Sequence, residues 1–479
     1  MSDYLEPSET DLEDVDAYLY QGYDGRRQKA AVTLTVLWGG TLILHIASWG
    51  SWAILCLTAF LSVHALRVLL ARSISAPATL PSSNTDTDIA TDIATDIARR
   101  NTDAIAPLDN WPYVSILVAA KNEEAVIESL VEALLQLDYP KTRYDLWIIN
   151  DNSTDRTPEL LDRLAQQYSQ LRVIHRPAES TGGKSGALNS VWTQTKGDIL
   201  AVFDADAQTP PELLRQVIPI FDLPQMGAVQ VRKAIANANT NFWTRGQEAE
   251  MALDAYWHKQ RAALGGIGEL RGNGQFVRRT AIERCGGWNE ETITDDLDLT
   301  LRLHLNHWDI QFLTYPAVQE EGVTNAIALW HQRSRWAEGG YQRYLDYWRL
   351  IARNRLGFSK TLDLFSFWII QYLLPTVAVP DLVLAIARNR APIFSPLASL
   401  TVAFSLVGMF IGLRQTQKSS ILVTLIQSLR GTLYMLHWFV VVASTTVRIS
   451  VRPKRLKWVK TVHQGQIDDA TLDVLANKK

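Results

Sequence analysis

Residues 199–207 read Ile-Leu-Ala-Val-Phe-Asp-Ala-Asp-Ala, and this stretch predicts both the fold and the place of its site. Five apolar residues in a row are typical of a strand that is buried on both faces of a parallel sheet. Open α/β sheets bind ligands at the carboxyl ends of their strands, which is where Asp204 and Asp206 lie. Two carboxylates one residue apart can bind a magnesium ion together with substrate phosphates. Taken alone, the tripeptide is more easily explained as a polar turn, so the rest of the chain must decide.

Strand and helix patterns alternate from Trp111 to about Leu313, which predicts a mostly parallel sheet flanked by helices. Three further strands are expected besides residues 199–203: Val114–Ala119, Leu146–Ile149 and Leu171–His175. The second of them runs directly into Asp151, so two strand ends carry carboxylates. We therefore expect an α/β domain with its site at this edge of the sheet.

Two glycine-rich stretches are expected to bring backbone close to a ligand. Residues 181–186 resemble a phosphate-binding loop, but the P-loop needs a glycine where this chain has Ala178, which argues against a nucleoside triphosphatase. The backbone here and Lys184 could still approach a diphosphate, and a simple turn before a helix explains the loop equally well. Residues 265–275 are too rich in glycine for regular structure.

Two later motifs are also candidates for the site, one with two acids and one with arginines and a tryptophan. Asp295 and Asp296 crowd the start of a predicted helix, where acids often serve only as caps and dipole partners. Gln332-Arg333-Ser334-Arg335-Trp336 lies in an arginine- and aromatic-rich segment, residues 328–355, that is typical of an amphipathic helix at a membrane surface.

Apolar segments are concentrated at both ends of the chain. Residues 30–70 are long enough for two membrane helices, and three more segments follow the α/β region: Leu364–Ala387, Ala391–Leu413 and Ser420–Val447. The last is interrupted by Arg430-Gly431, which suggests a broken or re-entrant helix. Basic residues place the outer ends of the first two helices, and the tail after Arg448, in the cytoplasm. Three simple crossings would put that tail on the opposite side, and the sequence leaves this conflict open.

Composition limits the other possibilities. The net charge of −3 gives no global attraction to nucleic acid, so no nucleic-acid partner is expected. Two cysteines argue against a disulfide framework and fit a reducing compartment. No signal peptide is expected. The predicted organisation is an acidic segment (1–29), two membrane helices (30–72), a low-complexity linker (73–110), the α/β domain (111–325), an interfacial segment (326–360), further membrane helices (361–449) and a basic tail (450–479).

The order of these motifs resembles that of membrane-embedded family 2 glycosyltransferases. The matching positions are Asp151, Asp204-x-Asp206, Thr294-Asp295-Asp296 and Gln332-x-x-Arg335-Trp336. The resemblance covers residues 114–336 and the apolar segments that follow. It implies a GT-A type nucleotide-sugar-binding domain with transmembrane helices at both ends. The whole chain is most similar to the cyanobacterial members that glucosylate diacylglycerol from UDP-glucose with magnesium, or with manganese in its place.

The resemblance also implies a role for each site residue. Asp151 would bind the uridine of the donor, and Gln332, Arg335 and Trp336 would close over it. The full donor-binding set would be Asp151, Asp204, Lys184, Glu123, Gln332, Arg335 and Trp336. Asp206, with Asp204, would hold the metal. Asp296 would be the general base, but Asp295 stands where the family has glutamate, so the choice between the two stays open.

The expected reaction is a direct displacement that inverts an α-linked donor to a β-glycoside, on the cytoplasmic side of an integral, multi-pass membrane protein. A processive polysaccharide synthase of the cellulose or hyaluronan type is the alternative, since the Gln-x-x-Arg-Trp motif is common there. Such an enzyme needs a polymer channel, for which five apolar segments are few. A membrane scaffold or transporter would leave Asp206 and Asp296 dispensable. The choice of glucose over galactose depends on the resemblance alone.

Overall fold

A computed structural model describes residues 25–71, 111–417 and 419–452. The predicted acidic segment before residue 25, the whole predicted linker and the basic tail after residue 452 lie outside the described residues.

The α/β domain is built on one mixed sheet of seven strands in the order β3-β2-β1-β4-β6-β5-β7. Their bounds are β1 Val114–Ala120, β2 Tyr144–Asn150, β3 Leu171–His175, β4 Ile199–Phe203, β5 Met226–Ile235, β6 Gln275–Arg278 and β7 Asp309–Glu320. Only β6 runs antiparallel to its neighbours, and every other adjacent pair is parallel. The mostly parallel sheet predicted from the sequence is confirmed.

Helices cover both faces of this sheet. They are α3 Ile127–Leu135, α4 Thr157–Gln167, α5 Gly183–Asn189, α6 Leu213–Val217, α7 Phe242–Ala263, α8 Arg279–Arg284 and α9 Asp295–Leu305. Alternate residues of β4 enter two different cores: Ile199, Ala201 and Phe203 pack into one, and Leu200 and Val202 into the other. The strand is therefore buried on both faces, as its unbroken apolar run predicts.

The remaining helices form a bundle beside the domain. They are α1 Arg26–Ile46, α2 Gly50–Leu69, α10 Ala326–Ala352, α11 Phe358–Trp368, α12 Leu374–Ala387, α13 Ser395–Thr416, α14 Ile421–Met435 and α15 His437–Val451. A π-helical turn, Ile369–Leu373, joins α11 to α12. Among the described residues, five stretches are long and apolar enough to cross a membrane, counting α11–α12 and α14–α15 as one each.

Four of these stretches run between two opposite ends of the bundle. At the end away from the α/β domain, His45 of α1 contacts Asp381 of α12 at 2.8 Å, and Asp381 also accepts the amides of Ile393 and Phe394 before α13. At the domain end, Arg26 at the start of α1 binds Asp346 of α10 at 2.6 Å. The same end receives the C-termini of α2 and α13, which contact α7.

The fifth stretch, Ile421–Val451, begins and ends beside the domain. It starts just after Gln417, which contacts Glu248 of α7 at 3.3 Å. Near its middle, the Tyr434 hydroxyl donates to Glu250 of α7 at 3.0 Å. Close to its C-terminus, Arg448 binds Glu338 of α10 at 2.5 Å. Within the described residues, both ends of this stretch therefore lie at the end of the bundle that contacts the α/β domain.

The break in this stretch lies at Leu436, and the expectation of a break at Arg430-Gly431 is wrong. Gly431 stays helical because it serves as a packing surface: a Cβ there would lie 2.3 Å from Met409 Sδ and 2.7 Å from Ala249 Cβ. Small residues let membrane helices approach each other closely. Beyond the break the neighbours change, since α14 packs against α7 and α13, whereas α15 packs against α1, α10 and α12.

Candidate active site

One cavity of about 1000 Å³ joins the carboxyl edge of the sheet to the membrane helices. Nine of the ten site residues predicted from the sequence line it: Glu123, Lys184, Asp204, Asp206, Asp295, Asp296, Gln332, Arg335 and Trp336. They come from the loop after β1, the turn after β4, the start of α5, the start of α9 and the first half of α10. The fold therefore brings together motifs that lie more than 200 residues apart in sequence.

The tenth residue, Asp151, lies behind the glycine-rich loop. Its carboxylate is bound by Arg176 and lies 3.7 Å from Lys121 Nζ. Arg176 also donates to the carbonyl of Thr181 at 2.6 Å. Asp151 is thus tied through Arg176 to the loop that precedes Lys184, although its side chain is buried beside the cavity.

The Asp-Ala-Asp turn is held by neighbours from three other segments. Lys184 donates to Asp204 Oδ1 at 2.6 Å, and the amide of Asp204 donates to Asn273 Oδ1 at 3.2 Å. Asp206 Oδ2 accepts the amide of Glu321 at 2.9 Å. Burial alone would lower the pKa of Lys184, but Asp204 and the more distant acids of α9 outweigh it and raise that pKa above its ordinary value. Lys184 therefore stays charged among the acids.

The donor set suits a hard cation that arrives with a diphosphate. Among the described residues, no three His, Cys, Asp or Glu side chains are grouped closely enough to hold a metal by themselves. Asp204 and Asp206 nevertheless offer carboxylate oxygens at one turn, and the side chain of Asp204 is 41% exposed. Magnesium is commonly held by one or two carboxylates, with phosphate oxygens and water completing its shell. The residues present fit that kind of site.

Asp295 and Asp296 differ in their surroundings although they are adjacent at the start of α9. Asp295 is buried, and its Oδ2 has no hydrogen-bond partner. Asp296 is half-buried and accepts the amide of Leu297 at 2.8 Å. Burial and the neighbouring Asp295 charge raise the pKa of Asp296 to about 6. The more accessible of the two carboxylates can therefore accept a proton near neutral pH.

Two cations contact the Trp336 ring. The guanidinium carbon of Arg333 lies 3.9 Å from the ring centroid, and Lys233 Nζ lies 5.1 Å from the same centroid. Arg333 is fully buried and binds Glu250 at 2.5 Å and the Tyr434 hydroxyl at 3.2 Å. These contacts connect the Trp336 ring to α7 and α14.

Sequence reasoning missed Arg333 and Lys233, and it also missed the support behind the second glycine-rich stretch. Arg271 in that stretch lines the cavity and binds Asp254 at 2.8 Å and Glu269 at 2.9 Å. Glu269 is fully buried and also contacts Arg343. Burial alone would raise the pKa of Glu269, but the surrounding arginines outweigh it, so this pKa lies well below its ordinary value. The glycine content of residues 265–275 was the available signal.

Comparison with known proteins gives matches along almost the whole chain. The model of "Glycosyltransferase like family 2" matches residues 112–339. A beta-monoglucosyldiacylglycerol synthase of Nostoc sp. strain PCC 7120 is 56% identical over 471 residues, 97% of this chain and 95% of that protein. The synthase of the same name from Synechocystis sp. strain PCC 6803 is 53% identical over 469 residues, 96% of this chain and 93% of that protein.

A solved structure supports the fold. The mannosyltransferase PcManGT of Pyrobaculum calidifontis, solved with GDP-Man and Mn²⁺, has a TM-score of 0.50 and 17% identity, and covers 88% of this chain and 99% of its own. At this identity the likeness concerns the fold alone. It confirms the predicted GT-A type architecture.

Proposed function

The chain belongs to glycosyltransferase family 2, as the order of its motifs predicts, and we propose that it transfers glucose from UDP-glucose to 1,2-diacylglycerol. Two relatives that match almost its full length are named beta-monoglucosyldiacylglycerol synthases. The observation that carries the proposal is the continuous cavity that extends from the acidic cluster into the membrane helices. A lipid acceptor and a water-soluble donor can meet there.

The donor binds along the carboxyl edge of the sheet. Asp151 and Glu123 contribute to the nucleotide end, and Lys184 and Asp204 face the diphosphate and the sugar. Arg335 on α10 lines the same cavity and interacts electrostatically with Asp204, Asp295 and Asp296. The cavity therefore has a cation near its acids. A guanidinium can donate two parallel hydrogen bonds to phosphate oxygens. Gln332 and Trp336 close the cavity over the sugar.

Asp206 and Asp204 would hold a magnesium ion, or manganese in its place, together with the bound donor. The ion would supply positive charge that stabilises the departing UDP. Lys184 and Arg335 add positive charge on the same phosphates. These side chains are positioned before the reaction to stabilise the negative charge that develops on the phosphates. Stabilisation of this kind makes the largest contribution to the rate of many enzymes.

Asp296 accepts the proton from the acceptor hydroxyl. It is the better candidate than Asp295 because it is the more exposed of the two and its pKa of about 6 lies close to the operating pH. The hydroxyl oxygen attacks the anomeric carbon as the bond to UDP breaks, and no covalent glycosyl-enzyme forms. This direct displacement converts the α-linked donor to a β-glucoside.

The membrane arrangement follows from where the helix ends lie. Four apolar stretches cross the bilayer, and Ile421–Val451 enters and leaves on the side of the α/β domain. The domain end of α1 and α2 carries the basic residues Arg26, Arg27, Lys29 and Arg67, which by the positive-inside rule supports a cytoplasmic location for this side. UDP-glucose is then available to the site.

The test is an assay of the purified full-length protein in lipid nanodiscs with labelled UDP-glucose or UDP-galactose, with and without diacylglycerol. We expect a chloroform-soluble product that requires diacylglycerol and UDP-glucose, with a β linkage by NMR. An insoluble polymer made without diacylglycerol would instead support a polysaccharide synthase. Absence of any transfer, or an α-linked product, would contradict the proposal.

A further inference from the structure

The part of the cavity that lies among the membrane helices has no role in donor binding. It continues past Trp336 between α2, the π-helical turn, α13 and the start of α15. Its walls there are mainly apolar, and they include Ile370, Phe404, Phe439 and Val442. The carboxylates of the candidate site lie at the other end of the cavity, beside the sheet. The apolar extension is therefore suited to an apolar part of a ligand.

The neighbours of this extension change at the break at Leu436. Before the break, α14 packs on α13, and after it α15 packs on α1, α10 and α12 instead. Val402 on α13 and Leu436 at the break both line the cavity, and they are 38% and 47% exposed. Apolar residues that line a cavity and stay this exposed are expected at the rim of an opening.

We propose that this opening, the lateral portal, admits the acyl chains of diacylglycerol from the bilayer and binds them between α13 and α15. The inference rests on the proposed function, since it names where that acceptor lies. The chains gain little hydrophobic free energy by leaving an apolar bilayer. Their binding serves to orient the glycerol hydroxyl toward Asp296, and orientation of this kind is a large part of catalysis.

Two matched pairs of substitutions test the lateral portal in the full-length protein in nanodiscs. Val402→Trp and Leu436→Trp place a bulky ring at its rim. Val407→Trp and Leu433→Trp place the same ring on the same helical elements at positions 42% and 61% exposed, outside the cavity wall. We expect the first pair to raise the KM for diacylglycerol or lower kcat about tenfold or more. UDP affinity and folding should stay unchanged, and the second pair should behave as the wild type.

A photoreactive diacylglycerol with a diazirine at the end of one acyl chain gives a second measurement that does not depend on turnover. We expect crosslinks in α13 and α15 that unlabelled diacylglycerol competes away and phosphatidylglycerol does not. Equal kinetics in all four variants, or crosslinks confined to the lipid-facing surfaces of α1 and α2, would overturn the portal. A wild type that makes no glucolipid would instead contradict the proposed function, while the crosslinks would still report on the portal.

Discussion

Substitution of Asp296 by Asn should remove the general base and leave the donor site intact. A positioned base contributes about 10²–10⁴ in rate, so kcat should fall by that factor while UDP binding is retained. The wild type should also lose activity in acid, because a base must be unprotonated to act. With a pKa of about 6, the ionised fraction of Asp296 falls about tenfold between pH 7 and pH 5.

Asp295→Asn is the matched control, because the two residues are adjacent and the substitution is the same. The negative charge of Asp295 raises the pKa of Asp296. Its removal should lower that pKa, so the acid limb of kcat/KM should move to lower pH while the activity at pH 7 falls far less than in Asp296→Asn. The shift is a result that loss of a merely structural residue would not produce.

The assay is the initial rate of glucolipid formation between pH 5 and pH 8 for the wild type and both variants, with UDP affinity measured separately. An Asp296→Asn variant with near-normal kcat would refute the assignment. If Asp295→Asn instead lost activity by the larger factor, Asp295 would be the base. An acid limb unchanged in Asp295→Asn would contradict the electrostatic coupling between the two carboxylates.

Three further predictions concern the metal, the Trp336 ring and the helix contacts. Chelation should abolish wild-type transfer and added Mg²⁺ should restore it, whereas Asp206→Ala should lose at least about 10² in rate at any Mg²⁺ concentration; full activity in the variant would exclude this role. Arg333→Lys keeps a charge near Glu250 but loses the planar contact with Trp336, which is worth about 2 kcal/mol. We expect kcat to fall and tryptophan fluorescence to change, and an unchanged kcat would contradict this role of Arg333. Gly412→Ala puts a Cβ 2.2 Å from the carbonyl oxygen of Ala252 and should lower the stability measured by thermal unfolding by about 1–3 kcal/mol. The control Gly39→Ala adds a Cβ in open space and should leave stability unchanged, so equal melting temperatures of the two variants would refute this close contact.

The sequence predicted those features that depend on local pattern. The apolar run of β4 identified a buried strand, and the two aspartates after it marked the edge of the sheet where the cavity lies. The acids at 295–296 and the Gln-x-x-Arg-Trp motif were found from their order along the chain. All of these reflect short stretches in which neighbouring residues determine the structure.

Features made by distant residues could not be read in this way. Arg333 matters because of Glu250, Tyr434 and the Trp336 ring, and only the last of these is near it in sequence. The break at Leu436 was expected at Arg430-Gly431, because a charge and a glycine suggest the end of a helix. Here that glycine is instead required by contacts with α7 and α13.

The proposed lateral portal beside Leu436 and Val402 has a consequence for the relative areas of the two bilayer leaflets. Acceptor and product use the same opening, so on the proposed function the glucolipid stays in the leaflet that supplied the diacylglycerol. Each turnover then enlarges one headgroup in that leaflet without adding an acyl chain. A hexose cannot easily cross the hydrocarbon core, because its hydroxyls would lose their hydrogen bonds to water. The enzyme therefore changes the lateral area of one leaflet relative to the other, and continued synthesis requires a separate route that moves lipid between them.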